Sequence, residues 1–295
     1  MGLPSSTVAA SRPTGRTLRP SVTRRAGAFP RAVIAAPALF AALLLTAQPA
    51  FAAPPCPDDY RPLGRIAAVT GAGELVLEDS RLVRLAAVDA AGGEAAMVAS
   101  LTRTAPGRMA SLASAHEGTD RHGRTAGLVR LEAEGGQGAL DVQAALLADG
   151  LAVARPEAGF LGCMTALATA ERPARLARLG LWARLPIPAH DLAALEARRG
   201  RFTILAGRVL TVGTGRAVDY LNFGAVWRKD ATVRLEKDIG RALTQRGIAL
   251  ADVAGRRIAV RGAVVEDGGP AIDIRWIEQI AAWDEDWEGQ EAGHQ

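Results

Sequence analysis

The chain has 295 residues, enough for one or two domains. Its 49% hydrophobic and 22% charged residues exclude a disordered, collagen-like or coiled-coil chain. The formal charge of +4 is no argument for nucleic acid: the first 52 residues hold six arginines and no acid, and taking six from 35 leaves 29 basic against 31 acidic residues.

Residues 32–52 form an apolar run behind those arginines and end in Ala50-Phe51-Ala52, a small-residue cleavage pattern. Residues 1–52 are therefore expected to be a secretory signal peptide, and the mature protein periplasmic or secreted. The alternative is a membrane anchor, but Pro37 and Pro49 interrupt a run that barely reaches the length of a span. No stable anchor is expected after cleavage. Cys56 and Cys163 are the two cysteines, and an even pair in an oxidising compartment is expected to close one disulfide. The alternative is two free thiols.

The predicted elements then run in order. Short apolar strands are expected at 65–69 and 74–77, joined by the turn Thr70-Gly71-Ala72-Gly73. A third strand is expected at 81–88 and a helix at 94–104, stopped by Pro106 and Gly107. Strands follow at 108–115 and 125–132, then helices at 139–148, ended by Gly150, and at 160–179. Five strands with three helices predict a small α+β barrel over 57–185. Residues 186–199 read as a linker with a short polar helix pattern. Residues 200–283 are mostly strand, at 201–212, 218–223, 231–236, 257–265 and 271–277, with a helix at 239–246 after the third. That count predicts a second, OB-like β-barrel. The tail 284–295 holds five acids and no base, and is expected to be solvated and disordered.

Three blocks give 57–185 a family likeness: VRLAAVDA at 83–90, DRHGR at 120–124 leading to GLVRLEAEG at 127–135, and ALLADGLAVARP at 145–156. RLGLWA at 178–183 supports them. In order and spacing they resemble the staphylococcal-nuclease-like (thermonuclease) family. The resemblance implies a five-stranded OB-type barrel with three helices that hydrolyses phosphodiesters, usually with calcium. Such chemistry needs oxygen ligands for a hard cation, a carboxylate to orient water, and cationic donors for the phosphate. By the resemblance, Arg84 and Arg124 take the two catalytic arginine positions, where a planar fork matches phosphate oxygens. The plainer alternative pairs Arg124 with Asp120.

The carboxylates depart from the family pattern. Its first turn reads Asp-Gly-Asp-Thr, so the metal-binding aspartate is replaced by Ala72. Asp89 matches the second metal ligand. The expected base, Glu94, sits two positions late behind Gly92-Gly93. Two roles are open for it: a base returned by a rearranged glycine loop, or a first-turn helix acid. Calcium binding is expected to be weak, and nuclease activity weak or absent. The alternatives are an active metal-dependent nuclease using Asp89 and Glu94, or a non-catalytic module of the cell envelope. The run 219–235 resembles an OB-type module found after some bacterial nuclease-like domains. That likeness makes Tyr220, Trp227, Arg228 and Lys229 candidate contacts for single-stranded nucleic acid. The alternative places these residues over a loop and in solvent.

Overall fold

Two antiparallel-rich sheets carry the fold, and their strands pair in the same order. The computed structural model describes residues 55–133, 138–225 and 230–283. The expected signal peptide, the acidic tail, and Trp227, Arg228 and Lys229 lie outside the described residues.

The first sheet starts with β1 (Arg61–Val69), which bends at Gly64, where φ is +123° and the register with its neighbour shifts. β2 (Leu75–Leu77) and β3 (Leu82–Leu85) follow as an antiparallel meander. β4 (Val88–Asp89) leads to α1 (Glu94–Thr104), at the bounds expected from its apolar spacing and Pro106 stop. β5 (Met109–Ala113) returns against β1, and β6 (Arg124–Leu131) pairs with β5. β3 then pairs in parallel with β6, Leu82 opposite Arg124 and Arg84 opposite Ala126. That pairing closes a five-stranded, OB-like barrel. β7 (Leu140–Asp141) leads into α2 (Val142–Ala148), and β8 (Val153–Ala154) pairs with β4. A 3-10 turn at Leu161–Cys163 opens α3 (Met164–Leu176).

The barrel is filled by alternate residues of these strands. Ile66, Leu75, Leu77, Leu131 and Leu147 are fully buried with Phe160. Each such side chain contributes about 1.5–3 kcal/mol relative to exposure. The buried Gln143 amide accepts from Val129 N at 3.0 Å and donates to Gly127 O at 2.9 Å, tying α2 to β6. Cys56 and Cys163 form the expected disulfide across 107 residues, fastening the chain before β1 to the start of α3.

The stretch expected as a linker packs instead. β9 (Ile187–Pro188) pairs in parallel with the next strand, and α4 (Leu192–Glu196) buries Leu195. β10 (Phe202–Arg208) and β11 (Thr211–Thr214) are one expected strand split at Val209 and Leu210. β12 (Val218–Asn222), β13 (Thr232–Glu236), α5 (Lys237–Gln245), β14 (Arg257–Glu266) and β15 (Pro270–Ile274) follow. A strand not foreseen, β16 (Ile280–Trp283), adds to β14. β11, β12 and β13 are an antiparallel meander, β13 pairs in parallel with β15, and β14 joins β15 to β10. The order matches the first sheet, including a helix after the third strand. β3 and β13 even share the letters VRL, with Arg84 and Arg234 at the same place in the order.

The described residues, between 55 and 283, fall in one compact unit. At the junction, Arg261 of β14 pairs with Glu171 of α3 at 2.9 Å, with side chains 5% and 3% exposed. Glu171 also accepts from Ala154 N at 2.7 Å, and Arg261 donates to Ala154 O at 2.6 Å. Arg198, just after α4, donates to Ala91 O. Among the described residues no helix is long and apolar enough to cross a membrane.

Candidate functional site

The parallel pairing of β3 and β6 decides where the two candidate arginines point. Leu82 faces Arg124 across the pair, and Arg84 lies two residues further along β3. Side chains two apart on a strand share a face, so both arginines stand on the outer side of the barrel as diagonal neighbours. The fold therefore brings Arg84 and Arg124 to one face of the barrel.

Each arginine is already clasped by carboxylates. Arg84 makes a fork-to-fork pair with Glu157, its Nη1 at 3.1 Å from Oε2 and its Nη2 on Oε1. Such bidentate pairs are the strongest ordinary arginine contacts. Glu157 also accepts from Ala87 N at 3.1 Å. Burial alone raises the Glu157 carboxyl, but the hydrogen bonds from Arg84 and Ala87 N–H outweigh it and hold the group below its usual range. Arg124 donates Nε to Asp120 at 2.9 Å and Nη1 to Glu74 at 2.9 Å. These bonds hold the Asp120 carboxyl far below its usual range and raise Arg124 further. The pairing of Arg124 with Asp120 was the plainer sequence alternative; Glu74 as a second partner was not foreseen.

Asp89, expected from the resemblance as a metal ligand, is engaged in the same way. Asp89 accepts from Ala91 N at 2.8 Å through Oδ1 and from Arg155 Nη1 at 3.0 Å through Oδ2, so both oxygens are in use. Ala72 is exposed and offers no oxygen ligand. Its turn is organised by Thr70, whose hydroxyl accepts from Glu74 N at 3.1 Å and donates to Glu74 Oε2 at 3.2 Å. Among the described residues, no group of three or more His, Cys, Asp or Glu side chains could hold a metal ion. The donor set does not fit calcium, which takes six to eight oxygens.

Glu94 is the first residue of α1 and exposed, the position of a helix-start acid. The glycines before it are closely packed by neighbouring side chains. Gly92, at φ +86°, lies under the Arg198 guanidinium, and a Cβ there would collide with it. A Cβ on Gly93 would come within 2.7 Å of Leu181. Arg198, from outside the first barrel, also donates to Ala91 O of this loop.

The face thus collects Arg84, Arg124 and Arg155 against Glu74, Asp89, Asp120 and Glu157. Three positive charges meet four negative ones. Sequence reasoning missed Glu157 and Arg155 as site residues, although Arg155-Pro156-Glu157 directly continues the third family-like block. On the second sheet, Gly213, Tyr220, Arg234 and Asp273 lie in one row across four strands. Tyr220 is half-buried, with its ring beside Gly213 and Gly215. Arg234 is claimed by Asp273, at 2.6 Å, and Asp267, at 2.7 Å, which raise it well above its usual value. No protein-family model and no curated protein matches this chain.

Proposed function

We propose that the chain is an exported, thermonuclease-like protein whose phosphodiester site no longer hydrolyses, kept as a scaffold beside a second, OB-like barrel over 200–283. The carrying observation is the Arg84–Glu157 fork, with Arg124 held between Glu74 and Asp120. A phosphate reaching either arginine must first displace a carboxylate already in the matching geometry. Ala72 and the engaged Asp89 leave no cation to help it do so. The disulfide fits a non-reducing compartment, which suits a periplasmic or secreted location. Arg234, held by two aspartates, extends the same reasoning to single-stranded nucleic acid on the second sheet.

A fluorogenic DNA and RNA cleavage assay on the mature chain tests this reading. It runs with calcium, with other divalent cations and with EDTA, beside Arg124→Ala. Background rates in every arm are expected. Cleavage lost both to EDTA and to Arg124→Ala would establish a working nuclease and overturn the proposal.

A further inference from the structure

The end of α3 carries a surface of a different kind. Leu176 and Leu179 are 57% and 46% exposed, and with Leu210 they are the large exposed hydrophobics among the described residues. Between residues 172 and 184 stand Arg172, Arg175, Arg178 and Arg184, with no acid. Arg172, Arg178 and Arg184 are exposed. The result is two leucines framed by arginines.

The platform is rigid. α3 ends with Leu179 N donating to Ala174 O at 2.9 Å and Arg178 at φ +52°, a helix end that usually takes glycine at that place. An arginine there costs about 1 kcal/mol. The loop packs closely on the end of α2: a Cβ on Gly150 would strike the Leu179 carbonyl, and a Cβ on Gly180 would strike the Gly150 carbonyl. Leu181 N also donates to Gly150 O at 2.9 Å. Leu179 is therefore held out in solvent by a built turn, not left there by a loose one.

We propose that this platform docks the chain's own C-terminal segment, 284–295. That segment reads DEDWEGQEAGHQ, with five acids, no base and one large apolar ring, Trp287. Its charge complements the arginines and its indole suits the leucines. It follows directly on β16, and twelve extended residues reach about 40 Å. Trp287 stands four residues past Trp283, so its Cα lies within about 14 Å of the end of β16, and docking requires the two leucines to lie within that reach. Tethering supplies an effective concentration of about millimolar, enough for a weak contact. An anionic membrane is the other surface that arginines around leucines could meet, but two leucines give little to bury in lipid.

The test uses the full mature chain grown with 5-fluorotryptophan, the Trp287 resonance being assigned through Trp287→Phe. The reference is the synthetic peptide DEDWEGQEAGHQ carrying the same label. In low salt the Trp287 signal is expected away from the peptide position. It should return to it near 1 M salt, in the double variant Arg172→Glu/Arg184→Glu, and in Leu176→Ser/Leu179→Ser. A tail variant, Asp284→Asn/Glu285→Gln/Asp286→Asn, leaves the platform untouched and should give the same return. A Trp287 signal at the peptide position in the unaltered chain overturns the proposal. Sedimentation with vesicles of phosphatidylglycerol, lost in the leucine variant while Trp287 stays at the peptide position, would assign the platform to the membrane instead.

Discussion

Arg261→Met is the substitution with the largest calculable effect. Arg261 and Glu171 are 5% and 3% exposed, so water screens neither charge. Removing the guanidinium strands the Glu171 carboxylate in the junction between the two sheets. Breaking a buried pair from one side costs about 3–5 kcal/mol. Glu171→Leu should cost about as much, because it strands Arg261 instead. The double variant removes both charges and their desolvation penalty together. It leaves Ala154 N–H and C=O without their side-chain partners, at about 1–3 kcal/mol each. Both singles are therefore expected to be less stable than the double. Urea denaturation of the four proteins at pH 7, repeated in 1 M salt, gives the comparison. Little salt dependence is expected for a pair shielded from counterions. A double variant less stable than either single would refute the reasoning.

Reducing the Cys56–Cys163 bridge, or replacing both cysteines by alanine, should lower stability by about 2–5 kcal/mol; equal urea midpoints with and without reductant would contradict it. Gly92→Ala should destabilise by more than about 1 kcal/mol, because its φ is +86° and Arg198 fills the space of a Cβ. The paired change Gly92→Ala/Arg198→Ala relieves the collision but not the backbone strain, so only partial recovery of the midpoint is expected. Glu157→Gln should cost about 1.5–3 kcal/mol at pH 7, through the charged hydrogen bonds to Arg84 and Ala87 N–H. The folded carboxyl lies below its usual value of about 4.5, so its stabilisation is fully present above that pH and is lost as pH falls through the folded value. Denaturation midpoints of the parent and Glu157→Gln should converge in acid; a gap that stays constant from neutral pH to about pH 3 would rule this out.

What the sequence disclosed follows from which signals are local. α1 carried its own stop in Pro106 and Gly107, and its expected and observed bounds coincide. The two strands that carry VRL were legible from alternation, whereas Arg84 and Arg124 were singled out only by the family resemblance. The carboxylate partners were not. Glu157 lies 73 residues from Arg84, and Glu74 lies 50 from Arg124, so only the fold could join them. The split of β10 from β11 was hidden because Val209 and Leu210 continue an apolar run. Residues 186–199 resembled a linker because prolines punctuate them, yet Ile187 and Leu195 bury themselves against the second core. Proline at a parallel edge such as Pro188 is compatible with pairing, so punctuation alone misread that stretch.

The two third-strand arginines bring these observations together. Arg84 and Arg234 sit at the same step of the same strand order, each on an outward face beside the parallel fifth strand. In the first sheet the answering carboxylate comes from a loop beyond β8, and in the second it comes from β15 itself and the turn before it. Different elements supply the acid, yet each arginine ends in a carboxylate clasp. A site under demand to bind phosphate would keep such arginines accessible, because a bidentate carboxylate competes for the same donors. Two independent clasps are the arrangement expected when arginine serves the barrel wall and not a ligand. The same logic makes Arg172 and Arg184, exposed beside Leu176 and Leu179 and without a carboxylate clasp among the described residues, the more informative surface of this molecule.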